Sequence, residues 1–441
     1  MMAVNNKFLI SRVVGRRVLD SRGRPTVEVD VITEAGVLGR AIAPSGASKS
    51  SYEAVDLRDG GRAFRGFDVS KAVSNVNKII APAIIGLDSR RQTLIDRKIC
   101  TLDGTPNKSR LGTNATTATS IAVAKAAANT LGLPLYKYLG GVGGAIVLPV
   151  PLMNIINGGL HAGNELSFQE FLIAPVGADT FSEAIKIGVE VYYSLRDLLK
   201  ERYGVSAVNV GDEGGFAPPL KENVEALRIL EKAIKTAGYD EDGVYIGLDV
   251  AASQLFDGNR RAYNIDGKFY DSSDLLEYYY SLIDEFNIRS IEDPFREDDY
   301  EFFAEFTSKV GSKVLVVGDD LYASSIIRLI QGAEASATNA AILKINQIGT
   351  LTEAIDFARS AHRLGMKIIV SHRSGETEDN AISHIAIALR AGFIKAGAPA
   401  RGERVAKYNE LLRIEEEEDT IYPGSLAYKQ YVYIPQSYYN E

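Results

Sequence analysis

The sequence has a single cysteine, Cys100, among 441 residues. A disulfide framework or a thiolate metal site within one chain is therefore excluded, which fits a reducing cytosol. Long hydrophobic runs are missing too. Near the start, only Phe8-Leu9-Ile10 forms a contiguous apolar core, too short for a signal peptide. The longest apolar stretch, 142–156, is broken by Pro149 and Pro151 and falls short of the ~20 residues a membrane helix needs. Nor is there an excess of positive charge. The net charge is −8, which argues against a general binder of nucleic acid or of anionic membranes. A small anionic substrate stays open, because local cations or a metal can reverse the field inside one cleft. These absences predict a soluble, cytoplasmic protein without a membrane span.

What is present is ordinary globular composition, 46% hydrophobic and 24% charged, over a length that suits two domains. Residues 8–20 and 26–43 alternate around Ser21-Arg22-Gly23-Arg24-Pro25, the grammar of a hairpin. A small-residue loop, Ser45 to Ser51, follows and is expected to be mobile. Helical patterns then cover 69–85, 89–102 and the Ala-rich 115–131, the last with Thr113-Asn114 as its expected cap. Strands followed by helices predict an α+β domain over residues 1–140. After the glycine-rich 140–144, short apolar runs alternate with helical segments, strictly so from residue 245. No G-x-G-x-x-G turn follows a first strand, so a closed β/α barrel over 141–420 is favoured above an open doubly wound sheet. The tyrosine-rich tail, 421–441, is either a solvated extension or an interface arm.

Barrel active sites lie at the carboxyl ends of the strands. The expected strand ends carry Asp249, Glu292-Asp293, Asp319-Asp320, Lys344, Ser371-His372-Arg373-Ser374 and Lys395. One such acid reads as a helix cap, but ionisable groups on six successive strands do not. Asp249, Glu292 and Asp319 would repel one another unless a cation joined them. A hard divalent ion such as Mg²⁺ suits three carboxylates without His or Cys. Lys344, Arg373 and Lys395 make the pocket attractive to a small, highly anionic substrate, and Arg373-Ser374 has the form of a phosphate clamp. Ion pairs within the mouth are expected to consume one of these three cations. Lys344 ends a buried strand, so it either pairs with a carboxylate or works as a base with a lowered pKa. Glu213 lies in the turn 211–215. Glu170, between Phe168 and Phe171, is either a solvent-facing residue or an acid with a raised pKa. His161, on a glycine loop, fits a site role, whereas His362 and His384 fall on helical stretches and read as structural. A lysine facing a carboxylate substrate suggests abstraction of the proton α to that carboxylate, with a separate acid assisting a β-leaving group.

These residues resemble the enolase family. The likeness runs from Phe8 to Glu418 and includes Ser45-Gly46-Ala47-Ser48, Gly211 to Gly215, Glu292-Asp293-Pro294-Phe295, Gly318-Asp319-Asp320-Leu321, Lys344 to Gly349, Ser371 to Thr377 and Arg401 to Arg404. The resemblance implies an α+β cap before a β/α barrel with an irregular, partly antiparallel start, and reversible dehydration of 2-phospho-D-glycerate to phosphoenolpyruvate. It implies that Lys344 removes the C2 proton and that Glu213 acts on the C3 hydroxyl, supported by Glu170 and His161. Asp249, Glu292 and Asp319 would hold one Mg²⁺, and Ser48 would help hold a second. Arg373 and Ser374 would bind phosphate and Lys395 the carboxylate, with Gln169 and His372 lining the pocket. A homo-oligomer is the family's habit.

Departures from the family pattern leave every implied catalytic side chain in place. Lys49-Ser50-Ser51 stands where Thr-Gly is common, Gln254 where a glutamate is usual, Tyr322 to Ser325 where Val-Thr-Asn is frequent, and Ala396 and Gly402 replace Thr and Ser. They suggest a divergent, archaeal-like branch. The competing expectations are a superfamily enzyme acting on unphosphorylated carboxylates, and a non-catalytic scaffold, which would need a missing acid, base or ligand.

Overall fold

A computed structural model describes residues 6–47 and 50–429. Its first unit is a three-stranded antiparallel sheet, β1 (Ile10–Leu19), β2 (Pro25–Thr33) and β3 (Leu38–Ile42), in that order. The run 26–43 is thus two strands rather than one. Gly36, at φ +75°, turns the chain, and Thr33 and Val37 close the turn through Thr33 N–H to Val37 O at 3.0 Å. The sheet lies on the helix Thr113–Leu131, whose small residues let backbones approach closely. A Cβ built at Gly39 of β3 would sit 2.2 Å from the Ala122 carbonyl oxygen, so glycine and alanine are matched across this contact. The helix begins two residues earlier than its apolar pattern, with Gly112 as N-cap. Thr113 and Asn114 instead reach outward, to the carbonyls of Asn346 (2.6 Å) and Leu57 (3.1 Å).

Eight strands close the barrel in chain order: Val150–Asn157, Glu170–Pro175, Val244–Asp249, Ile288–Glu292, Leu315–Gly318, Ala340–Leu343, Lys367–Ser371 and Phe393–Lys395. The second runs antiparallel to both neighbours and all other pairings are parallel. This is the irregular start that the resemblance implied. It also has a chemical consequence. The first residue of the reversed strand, Glu170, lies in register with Asp249 and Asn157 and so shares their end of the barrel.

Strict βα alternation from 245 does not hold. A small antiparallel sheet, Phe256–Asp257, Ala262–Ile265 and Lys268–Tyr270, intervenes before the helix Ser272–Glu285. The segment 321–332 has a helical pattern throughout, but its helix starts only at Ile326. Ahead of it, Ala323 and Ser324 take left-handed backbone (φ +46° and +53°), which a right-handed helix excludes. The Asp319 carbonyl accepts from both Tyr322 N–H and Ala323 N–H, completing the turn.

Glu415 to Glu417 end the helix Gly402–Glu417, and Glu418 is its C-cap. Glu415 accepts from the N–H groups of Phe181 and Ser182 (2.5 and 2.7 Å), neutralising the start of the helix Phe181–Tyr203. Tyr428 packs edge-on against Tyr245 and Phe393, at the barrel end opposite the site. The later tail tyrosines, Tyr431 to Tyr439, lie outside the described residues. Among the described residues, no helix is long and apolar enough to cross a membrane.

Candidate active site

The mouth of the barrel gathers the residues that the strand ends supplied. One small cavity of about 10 Å³ is lined by His161, Gln169, Glu170, Glu213, Asp249, Lys344, Ser371 to Ser374 and Lys395. Asp249, Glu292 and Lys395 are final strand residues, while Asp319 and Lys344 stand one position beyond theirs. Ser48 lies outside the described residues. The flanking cap loop does reach the barrel: Ser45 and Gly375 exchange backbone hydrogen bonds at 2.8 Å, and Ser374 Oγ accepts from Ala47 N–H at 2.6 Å.

All three mouth cations are engaged, where one was expected. Lys395 Nζ donates to Asp249 Oδ2 and Glu292 Oε2, each at 2.9 Å, and lies 3.3 Å from Glu170 Oε2. Lys344 Nζ is bonded to Asp319 Oδ2. Arg373 grips Glu53 with two nitrogens (3.0 and 3.1 Å) and donates to Asn346 Oδ1 at 3.0 Å. Buried carboxylates demand countercharge, and these side chains supply it. Asp249, Glu292 and Asp319 are consequently shared between two lysines. Asp293, Asp319 and Asp320 form one compact acidic group, and His161, Glu170 and Glu213 another, each with donor atoms within 4.8 Å of one another. The donor set around Lys395 and Lys344 is all oxygen, and Glu292 Oε1 is buried with no hydrogen-bond partner among the described residues. That chemistry fits a hard divalent ion.

Protonation follows from burial and neighbours. Burial pushes the Lys344 ammonium down, but the Asp319 carboxylate outweighs it and holds the pKa above the ordinary value. Of the two sequence alternatives for Lys344, pairing is the one observed. Lys395 follows the same logic: burial opposes the charge, and Asp249, Glu170 and Glu292 override it.

Glu170 is buried, not solvent-facing. Burial, and then the Glu213 carboxylate, raise its pKa far above the usual carboxylate range. Burial acts on Glu213 as well, but His372, His161 and Arg404 outweigh it and hold Glu213 low. The two carboxyls are a coupled pair whose proton resides on Glu170. His161 Nδ1 stands between them, 3.6 Å from an oxygen of each.

Sequence reasoning missed several supports. Arg404, fully buried, donates to His372 Nδ1 (2.6 Å) and to the carbonyls of Arg373, Ser374 and Asp212. Because guanidinium only donates, His372 must accept at Nδ1 and carry its proton on Nε2, which faces Glu213 Oε2 at 3.2 Å. Burial pushes the His372 pKa down to about 4, so the ring is neutral at pH 7. Asn154, also missed, donates to Glu213 Oε2 at 3.1 Å, whereas Gln169, which the resemblance had put in the pocket, donates to Asp249 Oδ2 at 3.3 Å. Glu53 had no signal beyond its place just after the small-residue loop.

Cap and barrel together define a class: a two-unit enzyme built for acid–base chemistry on a small anion. Known proteins sharpen this. Residues 10–139 match the family model "Enolase, N-terminal domain", and residues 145–431 match "Enolase, C-terminal TIM barrel domain". The chain is 56% identical to the enolase of Thermococcus kodakarensis over 424 residues, 96% of this chain and 98% of that protein. It is 57% identical to the Pyrococcus furiosus enolase over 415 residues, 94% and 96% of the two chains. It is 55% identical to the Methanocaldococcus jannaschii enolase over the same length and shares. The chain belongs to the enolase family, and its likeness is to archaeal members.

Proposed function

We infer that this chain is a hydro-lyase that interconverts 2-phospho-D-glycerate and phosphoenolpyruvate. The observation that carries the reading is one cavity lined both by a lysine, Lys344, and by a coupled carboxyl pair, Glu170 and Glu213. Dehydration of this type needs a base at C2 and an acid at C3 in one pocket. Full-length membership of the family supports the same reaction.

In the proposed reaction, Lys344 first gives up to solvent the proton that Asp319 stabilises on it. The neutral Nζ then takes the C2 proton, and the C2–H electron pair becomes the C2=C3 bond. The C3–O bond breaks, and the hydroxyl leaves as water with the proton held by the Glu170–Glu213 pair. His372 and Asn154 hold Glu213, and His161 stands between the two acids. Lys395 would bind the carboxylate, and Arg373 with Ser374 the phosphate. Substrate phosphate would then share Arg373 with Glu53. Asp249, Glu292 and Asp319 would hold Mg²⁺, and Ser48 would help hold a second ion. Bound divalent ions supply positive charge that stabilises the dianionic form of the substrate carboxylate. Residues 1–140 serve as cap and 141–420 as catalytic barrel in this reading. A homo-oligomer working in the cytoplasm completes it, supported by family membership alone.

The test is ultraviolet absorbance of purified protein mixed with 2-phosphoglycerate and Mg²⁺. Absorbance rises as the conjugated enol product forms, and both a chelator and Lys344→Ala abolish the rise. A flat trace from folded wild-type protein with Mg²⁺ sinks the reading.

A further inference from the structure

Resting on that reading, we propose that Ser324 is the positioning residue for the base, through a closed ring of hydrogen bonds that fixes Lys344. Ser324 is fully buried in the left-handed turn between the fifth barrel strand and the helix Ile326–Glu334. Its Oγ accepts from the Lys344 backbone N–H at 3.0 Å and donates to Gln347 Oε1 at 2.6 Å. Gln347 Nε2 donates onward to Asp319 Oδ1 and to Glu53 Oε1, both at 3.2 Å. Asp319 Oδ2 takes the Lys344 ammonium, which closes the ring. Each amide assignment is forced: carboxylates only accept, so Gln347 must present nitrogen to Asp319 and Glu53 and oxygen to Ser324.

The ring ties both ends of one residue. The backbone of Lys344 is fixed through Ser324, and its Nζ is fixed through Asp319. Gln347 belongs to the single helical turn Ile345–Ile348 that starts at Lys344, and its own N–H bonds the Lys344 carbonyl at 2.9 Å. Base, acid and the Arg373–Glu53 pair are thus joined through two neutral side chains. A neutral tie can stay intact while the charges around it change partners, which is what a base needs when substrate enters. The strained backbone at Ser324 also has a use here, because the left-handed turn aims Oγ at the neighbouring strand end.

Removing the hydroxyl strands the Lys344 N–H and Gln347 Oε1 in the interior and frees the base to drift. A displacement of about 1 Å at a reacting group can slow chemistry by ~100-fold. For Ser324→Ala we expect kcat per folded protein to fall about 10- to 100-fold, with KM for 2-phosphoglycerate within about threefold of wild type. The isotope effect on kcat with C2-deuterated substrate should equal or exceed that of wild type, because proton abstraction becomes more limiting. Ser324→Thr keeps the hydroxyl and should recover most of the rate. A kcat within about twofold of wild type, or a loss that threonine does not recover, overturns the proposal. A loss of rate with a reduced isotope effect overturns it as well. Should Ser324→Ala fail to fold, Gln347→Leu breaks the same ring from the other side, and the same kcat and isotope criteria decide. Wild-type protein without turnover sinks the dehydratase reading and this role with it, an outcome distinct from an active wild type with an equally active Ser324→Ala.

Discussion

The barrel mouth and the outer face of the cap sheet are built from the same materials and behave in opposite ways. On the sheet, Arg16 bonds Glu28 and Asp30, and Arg40 bonds Asp30 at 2.7 Å. The arginine side chains there are 37% and 50% exposed. Burial works against the Asp30 carboxylate, but Arg40 and Arg16 outweigh it and hold its pKa down to about 2. Both arginines rise, so each partner favours the charged form of the other. In the mouth, burial is nearly complete and acids outnumber cations. Glu170, Glu292 and Asp293 are pushed far up, by burial first and neighbouring carboxylates second, and Asp320 rises to about 8. The difference teaches that pairing alone does not satisfy a cluster of charges. Where water shares the countercharge, ion pairs settle into a stable lattice. Where it cannot, the cluster retains protons.

The sharpest way to break this comparison is to remove a cation from each region. Lys395 contacts three buried acids, Asp249, Glu292 and Glu170. Lys395→Met leaves them uncompensated, and in chelator-treated protein at neutral pH it should cost about 3–5 kcal/mol in urea unfolding. Mg²⁺ should restore part of that loss, since an ion that binds only the folded state stabilises it. Arg16→Ala on the cap should cost about 0.2–1 kcal/mol and be indifferent to Mg²⁺. Equal losses at the two sites would show that burial does not separate them.

Much of this contrast was legible in the sequence, and what was not has physical causes. The ends of parallel strands announced Asp249, Glu292, Asp319, Lys344 and Lys395, because each apolar run stops at an ionisable group. Glu170 followed no such rule. It opens its strand, and only the antiparallel pairing with Asp249 brings it to the mouth. Its aromatic neighbours left open a solvent-facing residue or an acid with a raised pKa, and the family resemblance supplied its role. The engagement of all three cations was not readable, since it depends on how many acids share one desolvated volume. Ser324 was invisible as more than a departure from the family pattern. Its role needs a left-handed backbone that aims one hydroxyl between strands. Gln347 carried no chemical signal of its own, because a neutral amide on a buried turn reads as packing.

A second, smaller effect sharpens the mouth side. The Asp320 pKa of about 8 lies above the ordinary carboxylate value of 3.8. The folded state therefore binds this proton more tightly than the unfolded state. Its contribution to stability is present below about pH 4 and is lost as pH rises through 8. Asp320→Asn removes that loss. Each pH unit between about 4 and 8 takes about 1.4 kcal/mol from wild type, so in chelated protein the variant should gain a few kcal/mol at pH 8 and clearly less at pH 5, read by urea unfolding at the two pH values. A gain of the same size at both would assign the effect to packing rather than to charge.

The cap gives the mirror image and the smallest effect. Asp30 titrates at about 2 in the folded protein against an ordinary 3.8. A depressed carboxylate contributes stability that is fully present above about pH 4 and is lost as pH falls toward 2. Asp30→Asn should therefore flatten the acid limb of the stability curve between those values and cost less than about 1 kcal/mol at pH 7, because its partners are half in water. Raising salt to 1 M should shrink that cost further, since the Debye length falls to about 3 Å. The same salt should leave the Lys395→Met penalty nearly intact, because buried charges are screened far less than exposed ones. If salt erased both, the two clusters would share one electrostatic environment, and solvent access would no longer explain why only one of them holds its protons.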